Sequence, residues 1–252
     1  MMIPRFSFRQ SSHIVPAVRF LGVTSMKMLR PFSGLARVLL VASLTLSASG
    51  ADLTLRVADK APPKELDEAV SKLLQKQAVQ LLAGDKPAFE FWLVSEVALT
   101  QKPAALAKAL DALKQTTLLG VVSVPTAQRD YRDDEIAAGV YTMRLVIQPG
   151  DGNHLGSSEF TWFAALVPAK LDPKPDGISD YKALIKASSK QTSTDHPVIL
   201  SLRPATSADG ESPKLNVPAP EHKSVRIKMP AKAGGASTEL LFEIVYEGKG
   251  HK

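Results

Sequence analysis

Apolar and polar positions alternate most cleanly between Gly139 and Gln148. There Tyr141, Met143, Leu145 and Ile147 are interleaved with Val140, Thr142, Arg144 and Val146. A period of two is that of a β-strand with one buried face. Gly139 opens this strand and Pro149 closes it, and a polar loop, GDGNHLGSS, runs over residues 150–158. A second strand follows from Glu159 to Val167. In it Phe160, Trp162, Ala164 and Leu166 share one face, while Phe163, Ala165 and Val167 share the other. With apolar side chains on both faces, this strand is expected to be covered on both sides. The two strands are read as the centre of an antiparallel sheet with an elaborate loop at one end.

The remaining pattern is dominated by short strands. Residues 52–58, 78–82, 89–94, 117–124, 196–202, 214–217, 224–229 and 238–246 each carry a strand signal and are bounded by Pro, Gly or polar turns. Three helices are expected between them. The first starts at Pro62-Pro63, with Glu65, Asp67 and Glu68 suiting its positive end and Leu66, Val70, Leu73 and Leu74 forming a stripe, and stops near Lys76. The second covers 103–114, where Leu106, Leu110 and Leu113 recur in an alanine-rich run. The third is capped by Ser179, runs to Lys186 and turns Tyr181, Leu184 and Ile185 inward. The mixed-charge run from Gln128 to Glu135 reads as a solvated loop. The sum predicts a mainly β fold: an antiparallel β-sandwich, with the jelly roll among its topologies, and two or three short helices in the connections.

Charge changes the picture at the N-terminus. Residues 1–50 hold Arg5, Arg9, Arg19, Lys27, Arg30 and Arg37 and no carboxylate, so the whole formal charge of +6 resides there. Residues 51–252 are balanced, with 25 basic and 25 acidic side chains (31 − 6 and 25 − 0). A nucleic-acid partner, which calls for a basic excess against phosphate, is therefore not expected. Met26-Lys27-Met28-Leu29-Arg30, the apolar run Leu35–Leu46 and the small residues Ala48-Ser49-Gly50 have the order of a secretory signal peptide. The apolar run falls short of the roughly 20 residues that a span needs. The expectation is translation from near Met26, cleavage near Gly50/Ala51, a periplasmic or secreted location and no stable membrane insertion afterwards. The body, 51–252, is expected to be a single domain. No cysteine is present, which removes disulfides, thiolate metal sites and a cysteine nucleophile.

Candidate chemistry is sparse. Asp151, Asn153 and His154 in the polar loop offer oxygen and imidazole donors, and the flanking glycines allow a tight turn. The spacing lacks the alternating ligands and closing glutamate of a calcium loop, so turn formation is the plainer account and no metal or cofactor is assigned. Ser, His and carboxylates are present, with His154, His196, His222 and His251 in the body, but no Gly-x-Ser-x-Gly, His-Glu-x-x-His or phosphate-binding Gly-x-x-x-x-Gly-Lys occurs. Glu90, Glu96, Glu239 and Glu243 lie in or beside strands and fit the solvent-facing phase of their alternation as well as they fit a glycosidase pair. Tyr141, Trp92 and Trp162 would make a sugar-stacking surface if exposed and core if not.

Arg129-Asp130-Tyr131-Arg132-Asp133-Asp134-Glu135-Ile136, Gly139–Arg144, Gln148–Gly156 and Leu166-Val167-Pro168-Ala169 together resemble a group of exported proteins from environmental Gram-negative bacteria that carry no assigned activity. The resemblance implies export and a β-rich fold, and it brings no catalytic residue with it. The functional expectation is a non-catalytic exported protein that binds a protein or carbohydrate ligand through loops at one end. Asp151, Asn153, His154, Tyr141 and Trp162 are its ligand-binding candidates. The alternatives are a carbohydrate-binding module and a metal-dependent hydrolase built on Asp151 and His154.

Overall fold

The structure, a computed structural model, describes residues 52–130, 134–148, 160–191, 196–219 and 222–248. Residues 48–252 form one compact unit. The expected mainly β, antiparallel fold is what the chain adopts, in the form of one large sheet curled nearly into a barrel. Its strands are β1 (Thr54–Asp59), β2 (Gln77–Ala83), β3 (Lys86–Leu93), β4 (Val97–Leu99), β5 (Leu118–Val124), β8 (Gly139–Ile147), β9 (Trp162–Pro168), β10 (Ile199–Pro204), β11 (Lys214–Ala219), β12 (His222–Ala233) and β13 (Ala236–Gly248). β6 (Gln128–Arg129) and β7 (Glu135–Ile136) pair separately.

The sheet order is β1-β2-β3-β5-β8-β9-β10-β13-β12-β11. It is a meander as far as β10. The last four strands then make a Greek-key arrangement: after β10 the chain crosses to β11 at the far edge and comes back through β12 to β13, which pairs with β10. β4 closes the ring. It continues from β3 and lies parallel to the end of β12, matching Val97 with Ala231 and Leu99 with Ala233. The remaining part of that β12 edge is taken by β11, where Lys214 faces Arg226 and Asn216 faces Ser224.

Register fixes which side chains face inward. Val79, Phe91, Val122 and Tyr141 form one cross-strand row, and all four belong to the main apolar core. Phe89, Met143, Leu145, Leu202, Phe242, Ile244 and Met229 extend that core around the ring. Gly120 sits where β3 comes close, and a methyl there would run into the Trp92 carbonyl. A second, smaller core lies outside the sheet. There α2 (Tyr181–Ser188) lays Leu184 and Ala187 on Val146, Phe163, Ala165, Val167 and Ile199. The two-sided covering expected of the second central strand is thus what β9 has.

Several expectations are corrected. The expected first helix reduces to α1 (Glu68–Ser71), capped by Asp67. Beyond it the sheet takes the backbone: Gln75 N donates to Leu93 O at 2.8 Å and Ser95 N to Leu73 O at 2.7 Å, leaving Leu73 exposed. The expected helix over 103–114 is broken into two 3-10 turns, Leu106–Lys108 and Leu110–Ala112. Thr100 ties down its end, with both its amide and its hydroxyl donating to Ala112 O. α2 is capped by Asp180 rather than Ser179. The run from Gln128 includes the β6–β7 pairing rather than being wholly a loop, with Asp130 N donating to Asp134 O at 2.8 Å and Asp134 N to Asp130 Oδ1 at 3.0 Å.

Candidate functional site

The face of β8 that was expected to be wet is buried. Thr142 and Arg144 are both covered, and Asp172, from the segment after β9, supplies the reason. Its carboxylate accepts from Arg144 Nε at 2.6 Å, Arg144 Nη2 at 3.1 Å and Thr142 Oγ1 at 2.6 Å. Arg144 also donates to the carbonyls of Thr116 and Lys174. A buried guanidinium is tolerable only when its charge and donors are met in this way.

The carboxylates singled out from the sequence fare likewise. Glu90 and Glu243 are buried, contrary to their solvent-facing reading. Lys60 Nζ donates to both oxygens of Glu90, at 2.7 and 2.9 Å. Arg203, Ser224 and Asn216 all donate to Glu243. Each carboxylate is spent on neighbours across the sheet. Glu96 pairs with Lys232 at 2.9 Å, and Glu239 with Lys228 at 3.3 Å.

The aromatic candidates divide. Tyr141 is 2 % exposed and donates its hydroxyl to Ala137 O at 2.8 Å; burial raises its pKa above the usual tyrosine value. Trp92 is 1 % exposed, with Nε1 donating to Lys60 O and Lys60 Nζ 5.8 Å from its ring centroid. Trp162 is half-buried at the start of β9 and packs on the main core. Asp151, Asn153 and His154 lie outside the described residues. Among the described residues no three His, Asp or Glu side chains gather as metal ligands, and no helix is long and apolar enough to cross a membrane.

Concave space occurs outside the barrel. A groove of about 470 Å³ runs between the first 3-10 turn, the loop after β10 and the outer side of β13. Leu106, Ala109 and Leu241 give it an apolar floor, Lys102 and Glu239 stand at its rim, and Ala208 forms part of its wall. Its shape suits an apolar group flanked by polar ones. Sequence reading missed it because its walls come from three segments, near 105, 208 and 240, with no local motif in any of them. The outward position of Leu241 in the alternation of β13 was the one available signal.

Compared with family models, curated proteins and solved structures, the chain matches none of them.

Proposed function

We propose that this chain is an exported, non-catalytic binding protein that engages a protein or carbohydrate ligand from outside its barrel. The observation that carries the reading is the filled interior. Phe89, Phe91, Tyr141, Met143 and Phe242 occupy the ring, so recognition falls to the outer groove and to the polar segment 149–158, which lies outside the described residues. The leader pattern supports export, and the balanced body argues against a polyanionic partner.

The test begins with fractionation of expressing cells, in which the mature protein is expected outside the cytoplasm with Ala51 as its first residue. Ligands retained from the periplasmic and extracellular fractions are then titrated against two variants. Loss of affinity in Ala208→Arg places recognition in the groove, and loss in the Asp151→Ala, His154→Ala pair places it in the loop. Unchanged affinity in both overturns the assignment. The carbohydrate reading draws on Trp162, which is only partly buried against the main core. It predicts that Trp162→Ala weakens binding by roughly 1–3 kcal/mol, the loss of one aromatic platform.

A further inference from the structure

β1 and β11 are the two ends of the sheet. They run beside each other, but no ladder bonds join them. Each therefore presents a row of backbone N–H and C=O groups on its outer side, the standing template for another strand. By register Val57 belongs to the inward row with Val79 and Phe91, a position that a closed barrel buries. It is instead 45 % exposed, and Val217 on β11 is 62 % exposed. The seam is thus lined with apolar side chains that nothing among the described residues covers.

The two edges are not equivalent. β11 carries Pro218, which has no N–H to donate, and its register breaks between Asn216 and Ala219. Both features blunt an edge. β1 pairs with β2 in unbroken register from Thr54 to Asp59 and contains neither proline nor glycine. On the outer side of the seam Arg56 donates to Gln80. Neither Arg56 nor Lys214 pairs with a carboxylate among the described residues. Among the described residues an ion pair crosses the seam, from Lys223 Nζ on β12 to Asp52 Oδ1 just before β1, at 3.1 Å.

We infer that the free edge of β1 accepts an extended peptide strand whose alternate residues are apolar and acidic, completing the barrel between β1 and β11. The apolar residues cover Val57 and Val217, and the acidic ones meet Arg56 and Lys214. Main-chain pairing supplies affinity and the alternate side chains supply selectivity. A guest strand needs about 4.8 Å on each side, so the seam widens to admit it. The Lys223–Asp52 tie is exposed at its Asp52 end and is weak enough to yield. This site is separate from the groove and the loop of the preceding section, and either can fail without the other.

The experiment titrates the intact protein with acetyl-(Glu-Val)4-amide and with acetyl-(Lys-Val)4-amide, following amide hydrogen exchange. The acidic peptide is expected to slow exchange at residues 54–59 by about tenfold or more, and the basic peptide to bind at least about tenfold more weakly. Val57→Lys, at a half-exposed position, is expected to leave the melting temperature in place and remove the protection. Asp52→Asn, which loosens the tie without touching the edge, is expected to bind the acidic peptide at least as tightly. Equal binding of the two peptides, protection confined to strands other than β1 and β11, or undiminished binding by Val57→Lys would overturn the inference. So would protection of β1 that grows with protein concentration alone, which would assign the edge to a second copy of the chain.

Discussion

Asp172 carries more of the fold than its place in a proline-broken connector suggests. Buried between Thr142 and Arg144, it pins the segment after β9 against the outside of β8. Asp172→Ala leaves an unmet guanidinium in the interior and is expected to cost about 3–5 kcal/mol in urea unfolding. Replacing both partners, Arg144→Met with Asp172→Leu, is expected to recover most of that loss, because no buried charge is left behind. Tyr246, together with Tyr141 and Lys223, shapes the response to alkali. Burial pushes the Tyr246 pKa up to about 12, against the lowering effect of Lys223 and with smaller raising effects of Glu247 and Asp52. Lys223 beside it is also raised, chiefly by its bonds to Asp52 and then Glu247. A raised folded pKa favours the protonated form, so this stability is complete below the unfolded tyrosine value of about 10 and is lost as pH rises toward about 12. Melting temperatures are expected to hold from neutral pH to about 9 and to fall above about 10. Tyr246→Phe is expected to flatten that fall, and a drop of equal size in the variant would assign the effect to other groups.

At the scale of elements, strands were legible and helices much less so. The period of two found both central strands, including the two covered faces of β9, because it depends only on neighbours along the chain. The helical stripes misled where a competing partner was distant. The run Leu66–Leu74 looks amphipathic, yet Leu93 and Val94 draw the backbone of 73–75 into the sheet. Short helices are marginal alone, so such tertiary bonds decide the outcome. Thr142 and Arg144 read as wet for the same reason: the residue that covers them, Asp172, lies in another segment. Candidate carboxylates could be picked from the sequence, but their cationic partners could not. The groove was illegible because no one segment builds it. α2 is the helix whose apolar face is fully used, and it provides a test. Leu184→Ala, at 0 % exposure in the smaller core, is expected to cost about 2–5 kcal/mol. A change below about 1 kcal/mol would mean that α2 contributes little to holding that face of β9.

The described residues form one large antiparallel sheet curled into a ring with a seam. Under the proposed binding role, a filled interior and a balanced charge would leave recognition to the outer groove and to the unpaired edge of β1. The fastening of β4 to β12 has a temporal consequence. Residues 97–99 leave the ribosome more than a hundred residues before 231–233, the partners that fasten them. Strand pairings so far apart in sequence form slowly. A nascent chain therefore remains unclasped, and open to threading or proteolysis, until its final hairpin arrives. A chain stopped at Ala219 is expected to be digested by a dilute protease many times faster than the complete one. Comparable resistance of the two would mean that β1–β11 hold together without β12, β13 and the clasp they provide.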